Sequence, residues 1–214
     1  GLLDALGLSD LNISTIERYL NAKHFSLIWP LLAIILALSR AGGQFAGEIQ
    51  NGTMGLLLSQ PVSRLRIFWA KYTTGLATVL VFCSVSLFAV IPIAGAYGFD
   101  SHPHILWKAL LLTSLFMLTV YSLGVAISVW VSDKSKVNGI ASSFMILSYM
   151  LYILSLIADK FAYLKHYSLF YYFNTQEVLA TGHIALRSWL LFGVTILIST
   201  ALAAWHFNRR DISV

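Results

Sequence analysis

The sequence predicts an all-α integral membrane protein, and three observations predict it. Of 214 residues, 58% are hydrophobic and 11% charged, whereas a soluble domain carries about a quarter charged residues. The mean hydropathy is +0.77. Uncharged stretches at 72–99, 109–132, 137–158 and 188–208 each reach the roughly 20 apolar residues that a helix needs to cross hydrocarbon. Tryptophans agree: Trp69, Trp107, Trp130, Trp189 and Trp205 fall near the expected span ends and Trp29 one turn inside the first, as amphipathic rings do at headgroup level.

Residues 1–24 form a polar lead-in. Within it, "STIE" offers Ser14 and Glu17 as a capping box, which fits either a short helix on the outer surface or an ordered linker. The first span is expected over 25–46. Its apolar run 25–39 is short, and "RAGGQFAG" carries it past Arg40, whose long side chain can snorkel. Arg40, Gln44 and Glu48 recur every four residues, so they predict one polar stripe on a continuing helix. Gly43 and Gly47 form a GxxxG beside it, a weak sign of close helix approach.

Residues 47–71 are too polar for lipid. "NGT" at 51–53 breaks the helix. Thr53 is expected to cap a short helix over 54–59 that Pro61 ends, with Met54, Leu57 and Leu58 outward. Ser63 can cap the next helix, in which Arg64, Phe68 and Lys71 lie on one side and Leu65, Trp69 and Tyr72 on the other. Two readings stay open: a surface helix that anchors the loop, or a knob whose exposed leucines fill a partner's groove.

Beyond the second span, 72–99, His102 and His104 flank Pro103. A metal site wants three or four ligands and no third is nearby, so these read as loop histidines and no metal is expected. The spans 109–132 and 137–158 follow. On the latter, Ser148, Tyr152 and Ser155, with Tyr149 beside them, share a face, which either lines a translocation path or glues helices together. Residues 159–187 include Phe170, Tyr171, Tyr172 and Phe173 in a row. That density predicts an interfacial or re-entrant helical segment, or a stacking surface for a substrate. The last span is 188–208.

Charge orients the chain. Residues 40–71, 132–136 and 209–214 hold eight Lys and Arg against three acids, while the remainder holds six of each. Cytoplasmic loops carry the excess of Lys and Arg, so the 47–71 loop and the C-terminus are expected in the cytoplasm. The basic balance then reflects topology and anionic lipid rather than nucleic acid. Five spans with a cytoplasmic C-terminus put the N-terminal end outside. An upstream span, six in the full-length subunit, is therefore expected. Cys83 is the single cysteine, so no internal disulfide forms.

Several classes fit poorly. No Asp, Glu, Lys or Arg lies inside a span away from its ends, where an ion-coupled carrier would place one. Intramembrane acid pairs and hydrolase triads are missing, and no GxxxxGK[ST] would hold ATP. The chain is therefore expected not to be an enzyme.

"GEIQNGTMGLLLSQPVSRLRIFWAKY" resembles the first cytoplasmic loop of ABC-2-type transporter permeases. The tail "FNRRDI" and the aromatic-rich segment before the last span are similar to that family as well. The resemblance covers roughly 25–214. It implies one transmembrane domain that forms the translocation path of an exporter. Two such subunits, as a homo- or heterodimer, would each dock a separate ABC ATPase subunit. It maps Glu48, Gly52, Thr53, Leu57, Pro61 and Arg64 onto the coupling region. ATP and Mg are expected on the partner, with no cofactor on this chain, in the inner or plasma membrane. The competing expectation is a non-transporting scaffold or assembly factor whose loop docks some other cytosolic protein.

Overall fold

A computed structural model describes residues 28–89, 92, 103–157 and 159–210. Ser14, Glu17 and His102 lie outside the described residues, as does the end of the expected second span. Among the described residues all regular structure is helical. Helix α1 is Ile28–Gly42, followed by a π-helical turn at Gly43–Gly47 and the single turn α2, Glu48–Gln50. Then come α3 (Thr53–Leu58), α4 (Arg64–Phe88), α5 (Pro103–Trp130) and α6 (Lys134–Ile157). A 3-10 stretch at Asp159–Tyr167 leads to α7 (Leu169–Tyr172), α8 (Thr175–Thr181) and α9 (Leu186–Arg209).

Among the described residues five helices are long and apolar enough to cross a membrane: Trp29–Gln50, Arg64–Ser86, His104–Trp130, Lys134–Ile157 and Leu186–Arg209. Four of them begin earlier than apolar runs suggest, and at three of these local chemistry starts the helix before hydrophobicity does. The Ser63 Oγ accepts from Arg66 N at 3.4 Å ahead of α4. Pro103 opens α5, where its missing N–H costs nothing. Asp133 Oδ1 accepts from Ser135 N at 2.7 Å and Lys136 N at 3.1 Å, capping α6. Of these five, α5 is the most enclosed and α6 the least.

The chain divides into two compact units. The first comprises Ile34–Leu80, Met117–Phe144 and Phe192–Val214. Its core is aromatic: Phe45 meets Phe68 at 5.4 Å and Phe207 at 5.1 Å, and Phe68 stacks on Tyr72 at 5.9 Å. Glycines let its helices approach, but not the expected pair. A Cβ on Gly43 would meet nothing within 4 Å, and one on Gly47 only ordinary contacts. The tight positions are Gly42, 2.7 Å from Asn138 Oδ1, Gly124, 2.8 Å from Ala41 Cβ, and Gly75, 2.2 Å from Tyr121 Oη, all measured from the added Cβ.

The second unit comprises Gly1–Ala33, Val81–Phe116 and Met145–Leu191. Phe116 stacks on Phe173 at 4.4 Å and meets Phe170 at 5.4 Å. Two of the four consecutive aromatics therefore pack on this unit's own helices. Tyr171 instead takes the Arg187 guanidinium, at 2.8 Å to its hydroxyl and 4.8 Å from its ring centre. Trp29 is buried and stacked on Phe82 at 6.0 Å, so it belongs to the interior rather than to the tryptophan belt. The other five tryptophans are exposed.

Candidate functional site

The loop from Gly43 to Lys71 leaves α1 through the π turn, and a side chain explains that turn. In an α-helix the Ala46 N–H would bond to the Gly42 carbonyl. Here Ser128 Oγ stands between them, accepting from Ala46 N at 3.0 Å and donating to Gly42 O at 3.5 Å. A hydroxyl inserted into the ladder forces one extra residue into the turn. The expected polar stripe is rotated as a result. Arg40 stays exposed. Gln44 Oε1 accepts the Tyr121 hydroxyl at 2.6 Å. Glu48 forms an ion pair with Lys71.

That pair sits beside a polar node. The Tyr121 proton is shared with the Tyr72 carbonyl at 3.0 Å. The Tyr72 hydroxyl accepts from Thr200 Oγ1 at 3.0 Å and bonds to Ser122 Oγ at 2.8 Å. Lys71 and Glu48 side chains are 16% and 29% exposed, so both charges are partly desolvated and each depends on the other. Glu48 Oε2 is buried without a hydrogen-bond partner.

After Gln50 the chain turns at Gly52, whose φ of +73° is left-handed and favours glycine. Thr53 is already inside α3, and Gly52 holds the capping position with no side-chain cap. The Thr53 hydroxyl donates to the Glu48 carbonyl at 3.2 Å, so the expected threonine cap is replaced by a turn-back bond. The face of α3 also differs from expectation. Met54 is fully buried and anchors the helix, Leu57 and Leu58 are half-buried, and Leu56 is 71% exposed. Leu56 was not singled out by the sequence because six residues carry too little periodicity to set a phase. Ser59 N bonds to Gly55 O at 3.0 Å and exposed Pro61 follows, so the helix stops there. On α4 the buried face is Phe68 and Tyr72, while Leu65 and Trp69 are exposed. Tyr72 thus turns inward, away from the side expected of it.

Helix ends from elsewhere close around this loop. Arg64 donates to the Arg210 carbonyl. Arg210 donates to the Val129 carbonyl and, at 2.6 Å, to Ser132 Oγ. Lys134 N donates to Gln50 Oε1 at 3.0 Å. The six residues expected to couple, Glu48, Gly52, Thr53, Leu57, Pro61 and Arg64, all lie in this one loop, and Gln50, Leu56, Ser128 and Arg210 join them.

On the hydroxyl face of α6, Ser148 bonds to the start of α7. Ser148 is buried, its Oγ accepts from Leu169 N at 2.9 Å, and its carbonyl accepts from Ser168 Oγ at 2.6 Å. Ser155 donates to the Tyr152 carbonyl on its own helix at 2.6 Å, and Tyr152 is half-buried. His104 lies in the first turn of α5. Among the described residues no group of three or more His, Cys, Asp or Glu could hold a metal ion.

A family model described as ABC-2 family transporter protein matches residues 4–212. No curated protein and no solved structure matches the chain.

Proposed function

The chain belongs to the ABC-2 family of transporter proteins, and on that premise we propose that it is the permease subunit of an exporter driven by a separate ABC ATPase. As a multi-pass membrane protein of that family it is a transporter permease. What we add is the grip: α3 is the cytoplasmic knob that enters a groove on the ATPase, and the C-terminus shares its side of the membrane. A second permease subunit completes the path, and ATP and Mg reside on the partner.

One observation carries this reading. Leu56 stands 71% exposed on a helix pinned by the fully buried Met54. A short helix outside the spans that turns a leucine outward offers that side chain to a partner's groove. Val62, Leu65 and Trp69 of the same loop are exposed as well. The charge distribution, eight cations to three acids on that side, favours the cytoplasm. Coupling would follow from rigidity: closure of two ATPases pushes the knobs, and the Glu48–Lys71 pair holds α2 to α4 so that the push reaches both spans.

Replacing Leu56 by Asp places an unpaired charge in the groove. Co-purification of the ATPase is expected to fall at least tenfold, with the permease itself folded and in the membrane. Full assembly and full permease-dependent ATPase activity with Leu56→Asp would reject the knob. Retained binding of a cytosolic protein without any nucleotide site would favour the scaffold reading instead.

A further inference from the structure

The polar links around the loop form a closed circuit. Its entry, Gln50, holds the first backbone N–H of α6 at Lys134. Its exit, Arg64, holds the carbonyl of Arg210, just past the end of α9. Arg210 in turn reaches the Val129 carbonyl near the end of α5, and Ser132 in the turn before α6. Three of these links answer a backbone group at or beside a helix end, and the fourth takes the Ser132 hydroxyl in the turn. Both arginines bring positive charge to helix C-termini, the end that attracts it. Stacking closes the same region: His206 lies flat on Trp130 at 4.0 Å and 7°.

We propose that Arg210 is a positioning residue that closes this ring, so that the α3 loop, the α5–α6 turn and the end of α9 move as one body. A loop tethered only by its own two flanking helices would pass a push to α1 and α4 alone. The ring gives it two further outputs, α9 through Arg64 and the α5–α6 pair through Gln50 and Arg210. Arg210 makes two donations from one planar fork, a geometry that lysine does not reproduce.

The role in coupling rests on the ATPase-docking reading, whereas the ring itself does not. Amide hydrogen exchange on the full chain in nanodiscs, without any ATPase, tests the ring. Arg210→Ala is expected to speed exchange about tenfold, the factor matching 1.4 kcal/mol, in 50–64, 129–136 and 205–210 together. Arg210→Lys should loosen them less, and Arg209→Ala, whose guanidinium lies over Trp205 at 4.9 Å, should leave them unchanged. Loosening confined to 205–210 would overturn the proposal. Should Arg210→Ala fail to fold, Arg64→Gln cuts a different link. It must still loosen 129–136, which the Arg64 side chain reaches through Arg210, or the ring is refuted. With the ATPase present, Arg210→Ala should keep binding but lose at least half of permease-dependent ATP hydrolysis. Unchanged hydrolysis in a loosened ring would refute its part in coupling, while the docking role of Leu56 would stand.

Discussion

Gly75→Ala adds one methyl where α4 meets Tyr121. The new Cβ would lie 2.2 Å from Tyr121 Oη, 2.5 Å from Gln44 Nε2 and 2.7 Å from Tyr121 Cζ. Clearing it requires the ring to retreat by about 1 Å, well beyond the few tenths of an ångström a packed side chain yields. The hydroxyl then cannot keep both its 2.6 Å bond to Gln44 and its 3.0 Å bond to the Tyr72 carbonyl. Overpacking costs about 1–3 kcal/mol and the lost hydrogen bonding about 1–2 kcal/mol. Better helix propensity returns about 1 kcal/mol. The net is a loss of about 1–4 kcal/mol, or about 2–16 °C in Tm for a chain of this size. The protein carries its own probe: Cys83 is the single cysteine and is buried, so a fluorogenic maleimide reports unfolding. Gly139→Ala, where the methyl would meet nothing within 4 Å, is the control and should melt at or slightly above wild type. A Gly75→Ala protein that melts with the control would refute the packing of Tyr121 against α4.

Other consequences are as concrete. Ser128→Ala removes the hydroxyl between Ala46 N–H and Gly42 O; the turn should revert to α and rotate Glu48 by about 100°, so that the coupling between Glu48 and Lys71 measured in a double-mutant cycle disappears. Ser148→Ala takes away the acceptor of Leu169 N and should cost about 1–3 kcal/mol, seen as a lower Tm and faster exchange over 168–173. Gly52→Ala forces a side chain into φ +73° and should cost about 1 kcal/mol. Thr53→Ala, which loses one exposed bond, should stay within about 0.5 kcal/mol by the same melting assay.

Span number and type were legible because length and hydropathy are additive along the chain, and the five apolar stretches became the five long helices. Phase was far less so. In lipid both faces of a helix are apolar, so Tyr72 reads as outward until Phe68 and Ser122 claim it. The polar stripe Arg40, Gln44, Glu48 was visible, yet its direction depended on Ser128, 82 residues beyond Ala46. The glycines that matter, Gly42, Gly75 and Gly124, are marked by what other helices place against them, and a GxxxG spacing carries no such information. In the sequence Arg210 is only a tail charge, because nothing local joins it to Arg64, 146 residues away.

The central claim, that α3 is held by an ATPase, is tested most directly by a photocrosslinking amino acid at position 56 of the full chain in native membranes. The expected product is one major adduct whose captured protein carries a P-loop and binds ATP, lost when Met54 is replaced by Asp to unseat the helix. Adducts to lipid alone, or to proteins of the opposite side of the membrane, would contradict it.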